Sequence, residues 1–194
     1  MYLPKLNNIF FNDFIEANTN MEDTIVSDNY PKNIKTDIDK DCSTLCSFSY
    51  KYPSGGLKLD NKGMYLELNY NSSTHSSPVT FSGEKYNVHK IYILNQSLHK
   101  FDGQSGIGEI IIHHLSLEGA IPLMISIPII NSTSGTIHQG KGTRNLENVL
   151  KIASDNTINT DDSVVLTTST FTINDYFPPK KTPFYTYKGK NFVS

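Results

Sequence analysis

The segment 57-LKLDNKGMYLELNY-70 limits the fold more than any other stretch of this chain. Leu57 and Leu59 alternate with polar residues, then Met64, Leu66, Leu68 and Tyr70 do the same after a break at Asn61 to Gly63. Alternation at period two places one side of an extended chain against a core, and a short Asn/Gly break reverses its direction. The segment therefore predicts an antiparallel hairpin. The pattern continues in 86-YNVHKIYIL-94, where aromatic and β-branched residues recur at period two. Further strands are predicted at 107-IGEIIIHH-114 and 121-IPLMISIPII-130, with a polar turn at 95-NQSLHKFDGQSG-106 before the first of them. A helix is predicted at 144-RNLENVLKIAS-154, where Leu146, Val149, Leu150 and Ile152 form an apolar stripe, making one or two short helices among the strands. The expected fold class is α+β, dominated by strands.

Length and composition then restrict function. The 194 residues suit one domain with a hydrophobic core, preceded by an extension over 1–26 in which Phe10, Phe11, Phe14 and Ile15 are candidate docking anchors. Seventeen basic against nineteen acidic residues give a net charge of −2, which indicates neither nucleic acid nor an anionic membrane as partner. The apolar stretch from Ile121 to Ile130 is broken by Pro122 and Pro128, and no run approaches the ~18 apolar residues of a membrane span. The two cysteines, Cys42 and Cys46, have no further ligand pair at usable spacing and read as free thiols. The basic cluster Lys180, Lys181, Lys188 and Lys190 is a candidate anion-binding patch on a chain that is otherwise slightly acidic.

The stretch 109-EIIIHHLS-116 poses the chemical question, because it places an acid and two adjacent histidines on an apolar strand. In an extended strand His113 shares a side with Glu109 and Ile111, while His114 points the other way. The pair therefore cannot chelate one ion.

The order of segments resembles the α-carbonic anhydrase family from about Tyr30 to about Gly189. The resemblance rests on 30-YPKNIKTD-37, 47-SFSYKYPSGGLKLDNKGMYLELNY-70, 97-SLHKFDG-103, 109-EIIIHHLS-116 and 171-FTINDYFPPKKTPFYTYKG-189. It implies a large, twisted, mostly antiparallel central sheet with short peripheral helices, making a domain over 27–194. In active members two histidines at i and i+2 on one strand and a third on the next strand hold a zinc ion and its hydroxide. The resemblance places those ligands at Tyr92, Leu94 and Ile111. It places the proton-shuttling histidine at Met64, the glutamate of the Ser-Glu-His turn at Leu98, and the hydroxide-orienting threonine near Phe192. It retains Ser97, His99, Glu109, His114 and Tyr187 as framework residues.

A non-catalytic protein with no metal and no cofactor is therefore expected. A carboxylate left behind by such a site needs a partner, and Lys90 or Tyr92 is expected to pair with Glu109. Inactive members of the family serve as protein–protein or glycan-binding modules, among them a poxvirus envelope protein that attaches virions to glycosaminoglycan. The Asn-, Lys- and Ile-rich composition fits the AT-rich genomes of many large DNA viruses, and equally of some protists and bacteria. The implied role is a viral surface or virion protein at the virion or cell surface. Its expected partners are other protein chains, with cell-surface glycosaminoglycan as a second candidate. The competing reading is a residual or relocated zinc-dependent lyase or hydrolase activity. The family's domain continues past its Tyr-x-Tyr-x-Gly segment, so a sheet incomplete at its C-terminal side is also expected.

Overall fold

The computed structural model describes residues 33–34, 47–53, 57–70, 77–130, 141–157, 159–166, 172–177 and 184–185. The 1–26 extension, both cysteines, Tyr187, Phe192 and the four lysines of the basic cluster lie outside them.

The predicted hairpin forms. Strands β3 (Leu57–Asn61) and β4 (Tyr65–Tyr70) pair antiparallel, with Leu59 opposite Leu68. The reversal between them uses Gly63 at φ 76°, where a side chain would be strained, and the Gly63 N–H donates to Asn61 Oδ1 at 2.8 Å. The next strand, β6 (Glu84–Leu94), is the longest. Its second half pairs with β4, while its first half pairs with a short strand, β5 (Val79–Phe81), which carries β2 (Phe48–Tyr50) in turn. On its other edge β6 pairs with β9 (Gly108–Ser116), and β9 pairs with β10 (Leu123–Ile129). With β11 (Ser163–Leu166) on the free edge of β3, the order is β10-β9-β6-β4-β3-β11, all neighbours antiparallel, within an eight-stranded sheet. The observed class is the α+β, strand-dominated one that the alternation predicts.

Several elements depart from the expected pattern. The polar turn at 95–106 contains a small hairpin, β7 (Lys100–Phe101) and β8 (Gln104–Ser105), reversed through Asp102 and Gly103, both at positive φ. An Asp-Gly pair is well suited to such a tight reversal. β7 also pairs in parallel with β1 (Asn33–Ile34). The helix, α1 (Lys141–Asn156), is longer than its apolar stripe at both ends. A 3-10 turn at Ile173–Tyr176 lies against it, and the approach is close at Gly142, where a Cβ would run into the Asp175 carbonyl oxygen.

The sheet buries both faces, unequally. One face carries the main core, in which Leu57, Leu59, Leu68, Ile91, Ile93, Ile110 and Ile112 pack with Leu146, Val149 and Ala153 of α1. The opposite face carries a smaller apolar cluster of Tyr92, Leu94 and Ile111, with Tyr65, Leu98 and Met124 packed around it. β9 is buried from Gly108 to His114 because it contributes to both faces at once. Among the described residues no helix is long and apolar enough to cross a membrane.

Candidate functional site

The smaller face gathers the residues that the sequence singled out. Register brings them into rows: Glu67 of β4 lies opposite Tyr92 of β6, and Tyr92 lies opposite Ile111 of β9. Ile111 in turn faces Ser126 of β10. Leu94 faces Glu109, and Lys90 faces His113. Tyr92, Leu94 and Ile111 are 2%, 6% and 1% exposed, and they pack as one cluster. Tyr65 meets Tyr92 edge-on with ring centroids 5.6 Å apart. Burying such side chains stabilises the fold by about 1.5–3 kcal/mol each. Met64, by contrast, sits half exposed on the turn between β3 and β4.

This donor set does not fit a zinc ion. Leu94 and Ile111 carry no lone pair, and the Tyr92 phenol is held in its protonated form, its pKa raised to about 12 by burial, then by Glu67 and Tyr65. A divalent ion brought here would lose its hydration shell with nothing to replace it. Among the described residues no group of three or more His, Cys, Asp or Glu side chains is placed to hold a metal ion.

Glu109 is fully buried beside this cluster, and its partners differ from those expected. Lys90 is bound to Glu67 instead, Nζ to Oε1 at 2.9 Å. The reason is register. Lys90 stands opposite His113, four residues along β9 from Glu109, which at ~3.3 Å per residue is beyond the reach of the ammonium. Tyr92 faces Ile111, two pairs removed from the acid. The carboxylate is held from the other side, by the turn that follows β6 and by β10. Its Oε1 accepts from His99 Nδ1 and Ser126 Oγ, both at 2.5 Å. Its Oε2 accepts from the N–H groups of Leu98 at 2.7 Å and His99 at 3.0 Å. Ser97 Oγ also lies 2.9 Å from Oε2, sharing its proton with the His99 carbonyl at 2.7 Å. Burial alone would raise the carboxyl pKa. The His99 hydrogen bond and charge, with Ser126, outweigh it and hold the group below its ordinary value. The acid is thus ionised and caged.

His113 and His114, adjacent in sequence, have opposite environments. His114 faces the main core and is completely buried. Its Nδ1 donates to the Leu123 carbonyl at 3.2 Å, which leaves Nε2 to accept from the Tyr52 hydroxyl at 2.9 Å. Tyr52 is fixed through its backbone, whose N–H and carbonyl both bond the Asn174 side chain at 3.0 and 2.7 Å. Burial depresses the His114 pKa to about 4 and raises that of Tyr52, so both are neutral. His113 faces the smaller cluster, is 6% exposed, and neither ring nitrogen has a hydrogen-bond partner.

Sequence reasoning missed Ser126 as a partner of Glu109, whereas it does raise a relocated site of His89, His113 and an acid; the two rings do meet, with no acid completing a metal-holding group among the described residues. Ser126 is one hydroxyl in the apolar stretch 123-LMISIPI-129, and its phase with Glu109 is fixed only by the β9–β10 register.

No protein-family model matches the chain, and a search of curated proteins finds no significant match. Solved structures do match. A hyperthermostable carbonic anhydrase from a hydrothermal vent chimney superposes with a TM-score of 0.58 at 16% identity, covering 88% of this chain and 65% of that one. Dioscorin, in a complex with ascorbate, gives 0.56 at 16% identity, with 77% and 59% covered. The α-carbonic anhydrase of Thermovibrio ammonificans, bound to sulfanilamide, gives 0.51 at 16% identity, with 66% and 51% covered. The chain has the α-carbonic anhydrase-like fold, and it spans between about half and two thirds of the length of these structures.

Proposed function

We propose that the chain is a non-catalytic carbonic anhydrase-like module that works by binding or assembly. One observation carries the reading. Tyr92, Leu94 and Ile111, the positions that the resemblance assigns to the zinc ligands, form a single buried apolar cluster on one face of a sheet of that fold. Met64 at the shuttle position and Leu98 beside the cluster support it, since neither side chain can carry a proton or hold a hydroxide. The Glu109 cage points the same way. In the family that carboxylate orients a zinc-binding imidazole, whereas here its oxygens are taken up by His99, Ser126, Ser97 and the turn backbone.

The proposed partners are other protein chains or a cell-surface glycan, at the surface of a virion or a cell. Retention on heparin or chondroitin sulfate that is lost with added salt supports the glycan version, and no retention at low salt removes it. The non-catalytic reading is tested on purified protein by metal analysis after zinc loading together with carbon dioxide hydration. The expected result is no stoichiometric zinc and no rate above buffer. Stoichiometric zinc with turnover establishes the competing reading, a residual or relocated zinc-dependent lyase or hydrolase.

A further inference from the structure

The pairing of β6 with β9 slips between Val88 and Lys90. Val88 faces His114 and Lys90 faces His113, so His89 is an extra residue opposite no partner. A bulge of this kind breaks the strict alternation and re-aims side chains. Here it brings His89 against His113, the two rings edge to face at 89° with centroids 5.3 Å apart, while Lys90 keeps its place directly across from His113. His89 and His113 are thus in ring contact, with Lys90 at the neighbouring register position of the smaller face.

His113 makes this convergence a site and not an ordinary surface cluster. It is more than nine-tenths buried, and both ring nitrogens are unpartnered. A buried imidazole without a partner is unfavourable, so the arrangement lacks an acceptor.

The charges around it select what that acceptor is. The titratable and charged groups facing His113 are His89 and Lys90 from β6, with Glu67 on β4 behind Lys90. From β10 it meets Met124, which carries no charge. Glu67 faces Tyr92 and is bound by Lys90, and β6 lies between the strands that carry Glu67 and His113. After burial, the influences that hold the His113 pKa down are His89 and Lys90. The local field is positive, which disfavours a divalent cation and favours an anion. An ammonium has three donors and can keep Glu67 while serving a second carboxylate. Apolar surface lies alongside: Met124 is opposite His113, and Leu115, 43% exposed, is two residues along the same side of β9, across from Asn87.

We propose that this end of the sheet binds a small organic carboxylate. One oxygen accepts from the His113 ring, the other from Lys90, His89 closes over the pair, and the apolar body lies on Met124 and Leu115. This site is separate from the emptied ligand positions, and it stands whether or not the chain is non-catalytic.

The test is a titration of the full chain with sodium butyrate, following the histidine ring nitrogens by NMR, with butyramide as the neutral isostere. The expected result is a saturable shift of the His113 and His89 rings with butyrate and none with butyramide. Binding should weaken about tenfold in Lys90→Met and in His113→Val, the loss of one charge-assisted hydrogen bond. Should His113→Val not fold, Lys90→Met decides. Equal responses to butyrate and butyramide, no response to butyrate, or a butyrate response unchanged in Lys90→Met would each overturn the proposal. So would zinc ions shifting both rings while butyrate does not, which identifies a two-imidazole metal site.

Discussion

Glu109 and His113 sit four residues apart on the same side of the same strand, and both are buried. Yet Glu109 has both oxygens occupied, by two side-chain hydroxyls, an imidazole and two backbone N–H groups, whereas neither ring nitrogen of His113 is partnered. Between them lies the apolar row of Tyr92 and Ile111. The difference separates a self-contained end of the face from an incomplete one. The Glu109 end closes on itself through elements of three separate segments, the turn at 97–99, β9 and β10. The His113 end is left incomplete by a bulge.

The comparison predicts opposite signs for mutations at its two ends. The largest effect is expected at the cage. His99→Leu removes the bond to Oε1 and leaves a buried carboxylate short of its partner, which should cost about 3–5 kcal/mol in urea unfolding. A loss of under ~1 kcal/mol would mean that the cage is not what holds this end.

The next effect is set by pH on the core side. His114 has a folded pKa of about 4 against an ordinary value of 6.5. The unfolded chain therefore binds the extra proton between those values, and stability from this residue is complete above about 6.5 and lost as pH falls toward about 4. The shift corresponds to roughly 3 kcal/mol. Glu109 adds to the loss only lower still, below its ordinary 4.5, as pH drops through its depressed value. Denaturant unfolding across this range should show the slope, and His114→Gln should flatten it. An unchanged slope would contradict the neutral, core-locked assignment of His114.

Tyr52→Phe is expected to be milder, at about 1–2 kcal/mol, because it removes one hydroxyl and leaves His114 Nε2 unpartnered. The smallest change should have the reverse sign. In the absence of any bound carboxylate, His113→Val replaces an unsatisfied imidazole by an apolar group and should raise stability by about 1 kcal/mol. A destabilisation at His113 as large as that at His99 would erase the distinction between the two ends.

The fold was legible wherever a run was long enough to show its period. β3, β4, β6, β9 and β10 are visible in alternation or apolar runs, and α1 in the stripe from Leu146 to Ile152. The short strands β2, β5 and β11 were not, since three or four residues carry little period and their state is decided by the neighbour they pair with. The opposed directions of His113 and His114 followed from the pleat alone. The partner of Glu109 did not, because alternation gives the side a residue faces and not its register along the next strand. Lys90 shares the side of Glu109 yet stands four residues away along β9. The bulge at His89 was equally invisible, as nothing in 86-YNVHKIYIL-94 marks which residue the ladder will skip.

The most direct test of the account is to restore the missing donors. In the triple variant Tyr92→His, Leu94→His and Ile111→His, three imidazoles would project from paired strands of a sheet whose register sets Tyr92 opposite Ile111, with caged Glu109 two residues away. Zinc titration by calorimetry, with folding checked in parallel, should reveal one tight site that the wild-type chain lacks. Turnover should stay poor, because Met64 is unchanged. A folded triple variant that binds no more zinc than wild type would contradict the assignment of Tyr92, Leu94 and Ile111 as the emptied ligand positions.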